Sequence, residues 1–135
     1  MRVMIIGCGR VGSLLANRLD EAGHQVLVLD KNQQAFRRLS EKFAGERMVG
    51  NGLVEEYVRP ALKEKTDILF VMTDKDNINV MIGQWVKRKF QVDRVITEVH
   101  DSVLAGLYQE LGMETVCPTD LVLKELLGMV NEDGT

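Results

Sequence analysis

RVMIIGCGRVGSLLANRLDEAGHQVLVLD, residues Arg2–Asp30, decides the fold. It opens on the apolar run Arg2–Ile6 and turns through Gly7, Gly9 and Gly12. A helical pattern then runs from Val11 to Ala22, with Val11, Leu14, Leu15 and Leu19 on one stripe. Gly23 stops that helix, as glycine just past a helix end commonly does. A second apolar run, Gln25–Leu29, follows and ends in Asp30. Strand, glycine turn, helix, strand make a βαβ unit. Near-continuous apolar runs suit parallel strands buried on both faces.

The alternation continues outward from this unit. Asn32 caps a helix carrying Phe36, Leu39 and Phe43. Arg47–Val49 reads as a third strand, and a short helix spans Val54–Leu62 despite Pro60 near its end. Asp67–Met72 is the most apolar strand, which places it centrally. A helix over Asn77–Lys89 precedes the strand Arg94–Val99. Ser102 caps a helix to Leu111, Thr115–Cys117 is an edge strand, and Thr119 caps a last helix through Val130. Six strands and six helices in strict alternation predict an α/β fold. It is a doubly wound, parallel, six-stranded Rossmann-type sheet with helices on both faces, in the order 3-2-1-4-5-6. Residues 1–130 make one domain and residues 131–135 a polar tail.

A chain of 135 residues is long enough to bury one core without staples. The net charge of -3 argues against nucleic-acid binding, which shows as a basic surface. Two cysteines, Cys8 and Cys117, make no disulfide framework and suit a reducing compartment. Val3–Ile6 is too short for a signal peptide, and no run reaches the roughly 20 apolar residues of a spanning helix. A cytoplasmic domain with no direct membrane insertion is expected.

Gly7-Cys8-Gly9-Arg10-Val11-Gly12 matches G-x-G-x-x-G in the setting that the dinucleotide fingerprint requires, directly after a strand and opening a helix. Gly7 serves the tight turn, Gly9 lets backbone amides approach a pyrophosphate, and Gly12 lets the helix pack on the sheet. The phosphates would sit at the positive helix end near Arg10, whose side chain would lie over them. Asp30, 23 positions after Gly7, can accept bonds from both ribose hydroxyls and repels a 2′-phosphate. A glycine turn used only for packing accounts for the pattern alone, but not for strand, helix and Asp30 together.

The loops after the other strands lie on the same sheet edge, where open α/β folds bind ligands. They carry Lys31, Asn51-Gly52, Thr73-Asp74 and Glu98-Val99-His100-Asp101. Asn51 could bond the adenine edge, and Thr73 with Asp74 the phosphate or ribose side. The plain alternative is that these residues only make turns. Cys8 sits where thiol pKa values fall, yet a small buried filler accounts for it as well as a redox role. His24 and His100 have no partner at metal-ligand spacing, and no nucleophile, base and orienter set is visible. Neither a metal nor catalysis is expected.

The runs Met4–Asn32, Val49–Glu56, Thr66–Ile82 and Val95–Asp101 together resemble the RCK/KTN domain of TrkA N-terminal type. Members are cytoplasmic regulatory domains of bacterial potassium channels and of Trk/Ktr potassium uptake systems. The resemblance covers residues 1 to about 130. It implies a domain that binds NAD(H) or AMP, ADP or ATP and so controls an attached ion-conducting subunit at the inner face of the membrane, without turning the nucleotide over. Carried over, its contacts fall on Gly7, Cys8, Gly9, Arg10, Val11 and Gly12 for the phosphates. Asp30 and Lys31 would serve the ribose, Asn51 and Gly52 the adenine, and Thr73, Asp74 and Asn79 the far side. Where many members carry an arginine, this chain has Glu98, which weakens the case for a triphosphate. The competing reading is the cofactor domain of an NAD-dependent dehydrogenase.

The last helix concentrates apolar residues. Leu123, Leu126, Leu127 and Val130 can form a stripe towards the domain's own sheet, which leaves Leu121, Val122 and Met129 outside it. The helix of Ile78, Met81, Ile82 and Trp85 poses the same problem, because Val80 and Val86 widen its arc. A homo-oligomer, dimer or ring, is therefore expected, as the resemblance also implies.

Overall fold

The computed structural model describes residues 1–132. Its elements run β1 (Arg2–Ile6), α1 (Arg10–Glu21), β2 (Gln25–Asp30), a 3₁₀ helix (Gln33–Arg38), β3 (Glu46–Val49), α2 (Glu55–Ala61), β4 (Thr66–Val71), α3 (Asp76–Lys89), β5 (Val92–Glu98), α4 (Ser102–Glu110), β6 (Glu114–Val116) and α5 (Pro118–Glu132). The six strands form one sheet in the order β3-β2-β1-β4-β5-β6. Every neighbouring pair is parallel, with Val3 beside Val26 on one flank and Ile68 on the other. This is the doubly wound Rossmann-type sheet expected from the alternation.

Successive strand residues serve opposite faces, which is why the strands read as unbroken apolar runs. Val3, Ile5, Val26 and Val28 pack with Ala16, Ala35, Leu39 and Phe43 beneath α1 and the 3₁₀ segment. Met4, Ile6, Leu27, Leu29, Leu69 and Val71 pack on the other face with Val58, Ile82 and Val86 of α2 and α3.

Several expectations change. α1 buries Gly12, Ser13 and Ala16, while Val11 and Leu14 are 55% and 57% exposed. A Cβ at Gly12 would strike the Gly7 carbonyl oxygen, so this contact fixes which face of the helix meets the sheet. Leu15 and Leu19 keep their places against the core. After Asn32, which caps as expected by accepting from Gln34 N at 3.0 Å, the chain makes 3₁₀ turns rather than an α-helix to Phe43. Side chains of α1 capture its backbone: Asn17 accepts from Ser40 N at 2.9 Å and Asp20 from Ala44 N at 3.0 Å.

In α3, Val80 and Val86 are buried and Met81 alone of the six apolar residues considered faces outward, at 57%. Val80 packs against Val99, Ala105 and Cys117, so α3 is covered on two sides. α4 is capped by Asp101, which accepts from Leu104 N at 3.0 Å, whereas Ser102 donates to Asp120 of α5 at 2.6 Å. The stripe expected to bind α5 to its own sheet does not do so. Leu123, Leu126, Leu127 and Val130 are between 52% and 54% exposed, within a few per cent of Leu121, Val122 and Met129. α5 also continues through Glu132, past the expected start of the tail; residues 133–135 lie outside the described residues. Among the described residues, no helix is long and apolar enough to cross a membrane.

Candidate functional site

A cleft of about 270 Å³ opens at the C-terminal edge of the sheet, where β1 lies between β2 and β4. That reversal of strand order is the place where open α/β sheets bind ligands. The glycine loop forms its floor. Gly7 has φ +108°, a conformation L side chains rarely adopt, and a Cβ there would meet the Met72 backbone of the β4 end. The turn is pinned on both sides: Gly7 N donates to Leu29 O at 2.8 Å, and Met72 N to Ile6 O at 2.7 Å.

Gly9 caps α1 in an extended conformation, and no side chain caps the helix. A Cβ on Gly9 would meet nothing within 4 Å, so the first-turn amides of α1 stand at an open surface. An uncapped helix N-terminus with its backbone exposed favours an anion.

Asp30 closes the β2 side. Its Oδ2 accepts from Cys8 N and its Oδ1 from Asn32 N, each at 2.8 Å. Each oxygen keeps a lone pair for a further donor. The Cys8 thiol is buried and donates to Ala35 O at 3.4 Å. Burial, reinforced by the Asp30 charge, pushes this thiol up, away from the thiolate that redox chemistry needs.

Asn51 makes an Asx turn, accepting from Leu53 N at 2.9 Å, which leaves its amide group for other partners. Gly52 is held close, since a Cβ there would stand 2.9 Å from both Ile6 and Ile82. On the β4 side, Thr73, Asp74 and Lys75 line the cleft. Behind them lies Asn79, which is fully buried. Its Oδ1 accepts from Thr73 N at 2.9 Å and from the Thr73 hydroxyl, and its Nδ2 donates to Thr73 O at 3.0 Å and Glu98 O at 2.9 Å. These four bonds fill the amide's capacity.

Gly7, Cys8, Gly9, Asp30, Lys31, Asn51, Gly52, Thr73 and Asp74 thus line one cleft. Arg10 and Val11 lie just outside it on the exposed face of α1, while Gly12 and Asn79 are buried behind the wall. Sequence reading missed Arg38, Lys75, Ile78 and Ile82, which also line it. Arg38 Nη1 reaches the Cys8 carbonyl at 3.5 Å. Its signal was its place at the end of the segment capped by Asn32, which a straight α-helix would have aimed elsewhere.

A Rossmann-type domain with a glycine-loop cleft at the strand-order reversal is the class that fold and site define. Residues 3–119 match the TrkA-N domain, and the chain belongs to that family. A Trk system potassium uptake protein TrkA of Streptomyces coelicolor is 36% identical over 131 residues, covering 94% of this chain and 59% of that protein. This chain therefore spans about three fifths of that relative. Among solved structures, the TrkA-N domain of the Escherichia coli inner membrane protein ybaL matches with TM-score 0.81 at 21% identity, over 95% of each chain. The Kef C-terminal domain of Shewanella denitrificans, in an AMP-bound form, matches with TM-score 0.78 at 18% identity, over 100% of this chain and 83% of that one.

Proposed function

We propose that this domain binds an adenine nucleotide in the glycine-loop cleft and, without catalysis, regulates potassium transport by an associated membrane subunit. The observation that carries the reading is the uncapped α1 terminus at Gly9, open towards a cleft walled by the Asp30 carboxylate. Phosphates would take the α1 amides, with Arg10 at the rim, while Asp30 and Lys31 would hold the ribose. Asn51 and Gly52 would meet the adenine. Arg38 and Lys75 add positive charge beside this path. A buried glutamate, Glu98, the last residue of β5 on the same sheet edge, favours NAD(H), AMP or ADP over ATP.

The potassium assignment rests on the TrkA relative, and the AMP-bound Kef domain shows that a chain of this fold holds an adenine nucleotide. The half-exposed apolar residues of α5 fit assembly into a homodimer or ring. The working location is the cytoplasmic face of the membrane, reached through the pore subunit. A thermal-shift screen of NAD⁺, NADH, NADPH, AMP, ADP and ATP tests the core of this reading. A ligand at 100 times its dissociation constant adds about 2.7 kcal/mol of stability. A flat screen overturns it.

A further inference from the structure

Glu98, His100 and Asp76 form a chain of ionisable groups beside the cleft. The His100 ring places Nδ1 2.9 Å from Asp76 Oδ1 and Nε2 3.2 Å from Glu98 Oε1. Asp76 is fixed in place, because it also accepts from the amides of His100 at 2.7 Å and Asp101 at 2.9 Å. Glu98 is only 6% exposed. A neutral imidazole has one N–H and one lone pair. Set between two carboxylates, it satisfies one and turns its lone pair on the other. The arrangement closes only with an extra proton, either as imidazolium or as a Glu98 O–H donated to Nε2.

The far end of this chain touches the cleft wall. The Glu98 carbonyl accepts from Asn79 Nδ2, and Asn79 Oδ1 in turn holds the Thr73 amide and hydroxyl. Asp76 is the first residue of α3, one turn before Asn79 on the same helix. The Glu98 backbone is therefore tied to Thr73 through one buried amide, carried on the helix that Asp76 begins.

We propose that Glu98, His100 and Asp76 share one proton, and that its presence holds the Thr73 wall in place, so that ligand binding in the cleft weakens as pH rises. Other charged groups face the imidazole as well. Lys75 and Asp74 precede α3 and line the same shallow depression as Asp76, Asn77, His100 and Leu104. Asp101 starts α4, and Asp120 of α5 is engaged by Ser102. The Cys117 thiol donates to the His100 carbonyl at 3.5 Å. Burial pushes the Glu98 carboxyl up, with His100 opposing and Asp76 reinforcing the shift. The consequence for ligand affinity rests on the proposed nucleotide site; the proton sharing and the wall coupling do not.

The test starts on the ligand-free chain. With only two histidines, the His100 ring nitrogens are followed by NMR from pH 5.5 to 9, together with the Thr73 amide and the Asn79 side-chain amide. The expected result is one common midpoint for all three. In Glu98→Gln, whose amide donates to a bare Nε2 and accepts from a protonated one, Thr73 and Asn79 should no longer respond; His100→Gln gives the same check if that variant fails to fold. A Thr73 amide indifferent to the His100 midpoint overturns the proposal. AMP affinity is then measured by calorimetry at pH 6 and pH 9 for wild type and Glu98→Gln, which cancels the titration of the ligand's own phosphate. The ratio of wild-type to variant dissociation constants should rise roughly fivefold, at the low end of ordinary site-to-site coupling. A constant ratio overturns the effect on binding. Absence of AMP binding at both pH values counts against the proposed function, and leaves the proton sharing to be judged by the Thr73 response.

Discussion

The Asp30 carboxylate holds the Cys8 backbone amide at 2.8 Å, tying the acid at the end of β2 to the glycine loop at the end of β1. One side chain thus shapes the loop and faces the cleft. Asp30→Ala should weaken NADH binding by about 1.5–3 kcal/mol through loss of a charged hydrogen bond. It should also destabilise the fold by about 1–3 kcal/mol, because the buried Cys8 amide loses its acceptor. Calorimetry and urea unfolding separate the two effects. The unmutated domain should prefer NADH to NADPH, and equal affinity for both would remove the ribose role from Asp30.

Glu98 and Asp76 should give stability opposite pH trends. Glu98 is raised by burial, so the folded chain holds that proton more tightly than the unfolded one. Its contribution is complete below the ordinary glutamate range and is lost as pH rises through the folded value. For Asp76, burial pushes up, but the His100 and Asp101 amides and the imidazole outweigh it and hold the carboxyl low. Its contribution is present above the ordinary range and is lost as pH falls through the depressed value. Urea midpoints of Glu98→Gln should therefore exceed wild type above neutrality and converge with it in acid. A variant less stable than wild type at high pH would contradict this.

Cys8 should resist alkylation in the native domain at neutral pH, because its thiol is buried and raised. Mass spectrometry after iodoacetamide treatment should show modification of Cys8 only in urea. Rapid labelling of the native protein would restore a redox role.

α5 should mediate self-association, since seven apolar residues from Leu121 to Val130 stand more than half exposed. Light scattering at micromolar concentration should give a dimer or larger. Leu121→Asp combined with Met129→Asp should dissociate or aggregate it. A clean monomer of the 15.2 kDa chain across that range would end the claim.

Strand order and sheet edge were legible because parallel strands buried on both faces leave an unmistakable apolar pattern, punctuated here by Gly7, Gly23 and Asn51-Gly52. The face of α1 was not legible from hydrophobicity, because Gly12 sets the approach and carries no hydrophobic signal. Arg38 was missed because Asn17 and Asp20 bend its segment from a distance of 23 and 24 residues. Asn79 was named from sequence as a contact, but its four bonds go to the protein and place it behind Thr73. The link from His100 to Asp76 joins the loop after β5 to the start of α3, 24 residues apart, and no periodicity announces it.

Gly9 carries the central claim, and replacing it gives the most direct measurement. A Cβ there has free space, whereas a Cβ at Gly12 collides with the Gly7 carbonyl. Gly9→Val and Gly12→Ala should therefore behave differently in calorimetry with NADH, AMP and ADP and in thermal unfolding. The account predicts that wild type binds at least one of these ligands saturably, and that Gly9→Val keeps the wild-type Tm but loses binding as its side chain stands between backbone and phosphate. Gly12→Ala should lower the Tm. Wild-type affinity in Gly9→Val would contradict the account and leave the glycine loop a packing turn.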